Sequence, residues 1–111
     1  MGKTTEDIQI LSFNIILHAG NARSCAMEAI SLAKKYYFTA AHEKITEAEA
    51  AFIKAHQEQA DLIQMEADGV KSEISLILIH AQDHLMTAMT VKDLANEMID
   101  MYKKMKYLEE K

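Results

Sequence analysis

Ile74-Ser75-Leu76-Ile77-Leu78-Ile79-His80-Ala81-Gln82-Asp83-His84-Leu85-Met86-Thr87-Ala88-Met89-Thr90-Val91 contains no glycine or proline and is dominated by Ile, Leu, Met and Ala. Such a run predicts one continuous helix. At about 100° per residue, Asp83 lies roughly 60° from His80 and His84 roughly 40° from it, so three polar side chains share one stripe. The apolar residues cover nearly the rest of the circumference. A helix apolar all round is buried all round, and two partner helices cover only about half of it. The uncovered half predicts self-association through this helix with closed symmetry. Leu76, Asp83 and Thr90 repeat every seven residues, so if that stripe faces a symmetry axis, identical Asp83 carboxylates meet there. Their repulsion would be relieved by protonation or by a hard cation such as Mg²⁺.

Working outward, the chain has no proline and only three glycines in 111 residues, and is rich in good helix formers. A first helix is expected from a cap at Thr4 or Thr5, with Glu6 and Asp7 in its first turn, to about Lys34. Its inner stripe reads Ile8, Leu11, Ile15, Ala19, Ala22, Ala26, Ala29 and Leu32 or Ala33, while Gly20 weakens its middle and allows a bend or a close helix contact. Tyr36, Tyr37 and Phe38 form a short link, after which Thr39 is expected to cap a second helix running to about Ala67. Ile45, Ala48, Phe52, Ala55, Gln59, Leu62 and Met65 or Glu66 trace its inner stripe. Asp68-Gly69-Val70-Lys71-Ser72 is the clear turn cluster, with Gly69 suited to positive φ and Ser72 to the next N-cap. The third helix is expected from about Glu73 to Leu108. The fold class is therefore all-α: an antiparallel, up-down-up three-helix bundle, one domain over residues 1–111.

Composition excludes several functions. A hydrophobic share of 50% with 26% charged residues is globular rather than disordered. The net charge of -5 carries no footprint for nucleic acid, and no nucleic-acid partner is expected. Cys25 is the only cysteine, so no intrachain disulfide forms, and among alanines it reads as a packing residue. No apolar leader and no run long enough to span a bilayer are present, which predicts a cytoplasmic protein.

On the residues alone, three readings of the His80, Asp83, His84 stripe stay open. The histidines can be satisfied polar groups inside a helical interaction module. They can clamp a transition metal at i and i+4, with Asp83 adding an oxygen. A diiron carboxylate site is a poor match, because no histidine has a Glu three residues before it. Alternatively, neutral His80 is a nucleophile that accepts a phosphoryl group, with His84 one turn later holding its tautomer. Phosphoryl transfer is mostly positioning and charge stabilisation, so a small domain suffices.

The run from Ser75 to Thr87 resembles the signature of the lactose/cellobiose-type enzyme IIA of the bacterial phosphoenolpyruvate-dependent sugar phosphotransferase system. Ala19-Gly20-Asn21-Ala22-Arg23-Ser24, with Ala26 and Ala29, is similar to that family's small-residue segment. Tyr36-Tyr37-Phe38 stands where family members usually carry a Gly-Asp-Phe-like link, and Asn21 stands where some relatives carry an acidic residue. The resemblance implies a homotrimer of three-helix subunits. In it His80 accepts phosphate from HPr and passes it to a cysteine of enzyme IIB, which serves the membrane component enzyme IIC. It implies further that three copies of Asp83 bind a metal, Mg²⁺ or another divalent cation, at the trimer axis. His84 and Gln82 would shape the site around His80. His18, His42 and His56 fall outside the signature and read as ordinary helix positions.

Overall fold

The structure, a computed structural model, describes residues 5–71 and 74–111. Three helices make up the chain: α1 (Thr5–Lys34), α2 (Phe38–Ala67) and α3 (Leu76–Glu109). Among the described residues there is no strand, and no helix is long and apolar enough to cross a membrane. The helices form the expected up-down-up rod, 63 × 19 × 18 Å. α1 and α3 run parallel: Ile10 and Phe13 lie beside Ile77 near one end, and Tyr36 bonds Glu109 at the other. α1 is the central element and packs extensively along both partners, whereas α2 and α3 touch each other much less.

Small side chains explain that arrangement. Ala19, Ala22, Ala26, Ala29 and Ala33 of α1 are all fully buried. Interaxial distance depends on the side chains at the contact, so an alanine face lets two helices approach α1 closely. Around this column two clusters form. Ala41, Ile45, Ala48, Ala95 and Ile99 pack toward the C-terminal half of α1, and Ile15, Ala55, Ala81, Leu85 and Ala88 pack toward its N-terminal half. Leu11, read into the inner stripe, is half-buried, and its neighbour Ser12 is the fully buried residue. Ser12 satisfies its hydroxyl by donating to the Ile8 carbonyl at 2.8 Å, so its burial leaves no polar atom unpaired.

Both links leave their helix by the same backbone device. Tyr36 N–H donates to the Ala33 carbonyl and Tyr37 N–H to the Leu32 carbonyl, while Gly69 N–H donates to Glu66 and Val70 N–H to Met65. These are paired Schellman bonds, which require a left-handed residue at the turn. Gly69 meets the requirement with φ 86, as its sequence position predicts. Tyr36 meets it with φ 65, a conformation uncommon for a bulky residue. Tyr36 Oη donates to Glu109 at 2.7 Å and its ring stacks on Phe38 at 5.9 Å, so contacts outside the link hold the strained residue in place.

Helix starts differ from expectation. α2 begins at Phe38 with Tyr37 as its N-cap and no side-chain bond, so Thr39 lies within the helix rather than capping it. The Schellman turn delivers the chain straight into α2, leaving no extended residue at Thr39. α3 is capped by Ser75, whose Oγ accepts from Leu78 N–H at 3.1 Å. Thr4, Ser72 and Glu73, named as cap or helix start in the sequence, lie outside the described residues.

Leu85 is among the largest fully buried side chains and closes the cluster beneath the histidines. Leu85→Ala is expected to lower unfolding free energy by about 2–5 kcal/mol, read as a shift in the urea midpoint with an unchanged slope.

Candidate functional site

α3 divides its circumference into three sectors. Ala81, Leu85, Ala88, Ala95 and Ile99 face the core. Leu76, Ile79, Asp83, Met86, Thr90, Leu94, Met101 and Met105 are exposed and fall within an arc of about 100°, roughly opposite the core. With exposed Glu97 on the same face, they follow one another at intervals of three or four residues, the pattern of a helix-pairing seam. Leu76 is 83% and Met101 61% exposed, far more apolar surface than an isolated face needs. His80 lies between seam and core on the side facing α1.

His80 is exposed and His84 half-buried. Their rings stack with centroids 5.4 Å apart and planes 21° from parallel, the geometry of neighbours one turn apart on the same stripe. His84 is wedged against α1, where Gly20 leaves room for it: a Cβ at Gly20 would stand 3.4 Å from His84 Nε2. Between the levels of Ile77 and His84, α1 presents Phe13 and Leu17, exposed by 61% and 53%. The accessible imidazole therefore sits beside an apolar edge.

Asp83 does not join the pair. It is exposed on the seam, its carbonyl accepts from Thr87 Oγ1, and among the described residues no cation pairs with its carboxylate. Gln82 is turned the other way: its Oε1 accepts from Gln59 Nε2 of α2 at 2.7 Å. The structure thus brings His80 and His84 together, sets Asp83 on the neighbouring face and commits the Gln82 amide to α2. Gln59 is the residue sequence reasoning did not connect with the site. Its only signal was its place on the inner stripe of α2.

The other candidate groups have structural settings. Among the described residues no group of three or more potential ligand side chains gathers to hold a metal within one chain. Cys25 is half-buried with Sγ 3.8 Å from Glu47 Oε2, and burial followed by the Glu47 charge raises its thiol pKa. A raised thiol stays protonated at neutral pH and is a poor nucleophile. Glu47 also shares Lys44 with Glu28, at 3.0 and 2.9 Å, and both carboxylates raise the Lys44 pKa. His42 Nε2 lies 2.7 Å from Lys103 Nζ, and His56 stacks on Phe52 at 6.3 Å. His80 is left as the exposed imidazole backed by a second one.

Fold and site together define a small helical bundle that presents a histidine pair beside an unpartnered helix face. Residues 10–103 match the family described as the phosphotransferase system, lactose/cellobiose-specific IIA subunit. The chain is 52% identical over 99 residues to the lichenan-specific phosphotransferase enzyme IIA component of Bacillus subtilis (strain 168), covering 89% of this chain and 90% of that protein. The cellobiose-specific enzyme IIA of Bacillus anthracis superposes with a TM-score of 0.87 at 52% identity, over 96% of this chain and 95% of that one. The IIA(chitobiose) chain from the Escherichia coli complex with HPr superposes with a TM-score of 0.77 at 35% identity, over 95% and 99%. The chain belongs to the lactose/cellobiose-specific IIA family of the phosphotransferase system.

Because Gln82 bonds across to α2, Gln82→Ala is expected to cost about 0.5–1.5 kcal/mol of stability by thermal unfolding. The same variant is expected to leave the His80 ring-proton signals in place, since the amide faces away from the imidazole pair.

Proposed function

We propose that this chain is a phosphoryl carrier in sugar uptake, accepting phosphate from phospho-HPr on His80 and passing it to a cysteine of enzyme IIB. The observation that carries the reading is the exposed His80 imidazole stacked on half-buried His84 beside an apolar edge. A lone pair of neutral His80 attacks phosphorus, and the bond from phosphorus to its HPr carrier breaks with its electrons returning to HPr. In the second transfer the thiolate of enzyme IIB attacks, and the electrons of the phosphorus–nitrogen bond return to His80. His84 supports the ring of its neighbour throughout. The relative solved in complex with HPr supports the choice of donor.

The negative charge of phospho-His80 needs donors, yet His80 lies in the interior of α3 and cannot use that helix's own N-terminus. A neighbouring copy supplies the missing wall. The exposed α3 seam fits self-association, and His80 flanks it, so packing copies of α3 together places His80 in a cleft between subunits. In this reading the assembly is a homotrimer and the Asp83 carboxylates converge on its axis. An exposed carboxylate lacking a cation partner among the described residues, set in an apolar seam, fits a hard oxygen-liganded ion, Mg²⁺ or another divalent cation. Such an ion would offset the repulsion of the three charges and serve assembly rather than transfer.

The protein then works on the cytoplasmic side, delivering phosphate through enzyme IIB to the membrane component enzyme IIC, which selects the sugar. Relatives of this one fold are named for lichenan, cellobiose and chitobiose, in keeping with a carrier that does not itself bind the sugar.

His80→Ala is expected to take up no phosphate when incubated with phosphoenolpyruvate, enzyme I and HPr, while its circular dichroism matches the unaltered chain. Mass spectrometry reads the uptake, and a phosphorylated His80→Ala protein would refute the assignment. If the unaltered chain also stays unlabelled, an interaction or metal-binding module is the better description. Asp83→Leu removes the axial repulsion and is expected to give an oligomer that survives chelation, measured by light scattering. A monomeric Asp83→Leu protein would show instead that assembly depends on the cation.

A further inference from the structure

Gly20 occupies the interior of α1, where glycine is less favourable than alanine. Its φ is not positive, so backbone conformation does not call for glycine there. What limits the size of this side chain lies across the helix interface. A Cβ at this position would meet His84 Nε2 at 3.4 Å, an ordinary contact for a methyl group that leaves no room for a γ-carbon directed at the ring. Among the described residues no hydrogen bond anchors the His84 ring, so its orientation depends on the α1 wall and on the stack with His80. A larger side chain at position 20 would push His84 outward, and the His80 ring stacked against it at 5.4 Å would move in turn.

We infer that Gly20 is a positioning residue for phosphoryl transfer on His80, acting through His84; this rests on the carrier reading above. The slot that Gly20 leaves seats the His84 ring, and the seated ring aims His80. Aim matters because displacing a reacting group by about 1 Å can cost about a hundredfold in rate. The nearby alanines Ala19 and Ala22 are fully buried in the core, whereas Gly20 remains half-buried at the histidine edge. Core packing alone therefore does not limit the size of the side chain at position 20; the His84 ring does.

The test measures transfer from phospho-HPr to the full chain for Gly20→Ala, Gly20→Val, His84→Ala and the Gly20→Val, His84→Ala double variant, each checked for helix content. Gly20→Ala is expected to stay close to the unaltered rate and Gly20→Val to fall about ten- to a hundredfold. With His84 already replaced, Gly20→Val is expected to cause no further fall, because the effect runs through the missing ring. An unchanged rate for Gly20→Val, or an equal fall in both backgrounds, overturns the inference. Should Gly20→Val not fold, a nuclear Overhauser contact between the Gly20 α protons and the His84 ring in the unaltered chain supports it, and the lack of that contact overturns it. If the unaltered chain takes up no phosphate, the carrier reading fails first. The His80 ring-proton shift then decides positioning alone, since Gly20→Val should move it only while His84 is present.

Discussion

The close approach of two helices to the alanine column of α1 is the contact on which the remaining structure depends. Ala19, Ala22, Ala26, Ala29 and Ala33 bury little area each, yet their small size brings backbones near enough for dense dispersion contact along the rod. That closeness also sets how α3 lies along α1, which places His84 opposite Gly20. A core built from alanine has little room for large side chains. Leu76, Ile79, Met86, Leu94 and Met101 are accordingly left outside on α3, where they form the seam that the proposed assembly covers.

The two links show how one backbone solution is reached from different residues. Gly69 enters the left-handed region with no Cβ to oppose it. Tyr36 does the same at the cost of strain, offset by its hydrogen bond to Glu109 and its stack on Phe38. At Tyr36 the turn is held by contacts to the end of α3 and to Phe38 in place of glycine's conformational freedom.

On α3, three demands are met by one helix without conflict because each takes its own sector. The fully buried residues of the core sector carry no charge, so their burial is inexpensive. The seam carries two exposed carboxylates, Asp83 and Glu97, whose charges are tolerable in water and become costly only when copies converge. The histidine edge lies between them, close enough to the seam to be walled by a neighbouring copy and close enough to α1 for His84 to be seated. About 60° of helix separates Asp83 from His80, so in the proposed function a cation held by Asp83 would stand apart from the imidazole.

The amino-acid sequence by itself determined three helices, their approximate lengths, the Gly69 turn and the histidine stripe. Propensity, 3.6-residue periodicity and αL preference act within a few residues of chain, so they can be read locally. The signature from Ser75 to Thr87 was also enough to indicate the family. Only the tertiary structure decided that Tyr36 takes the left-handed position, that α2 begins at Phe38 without Thr39 as its cap, and that Ser12 rather than Leu11 is fully buried. It alone turned Gln82 toward Gln59, separated Asp83 from the histidine pair and set Gly20 against His84. Each of these depends on which residue of another helix, dozens of positions away, arrives at the same level of the bundle. Local preference cannot supply that register; helix packing does.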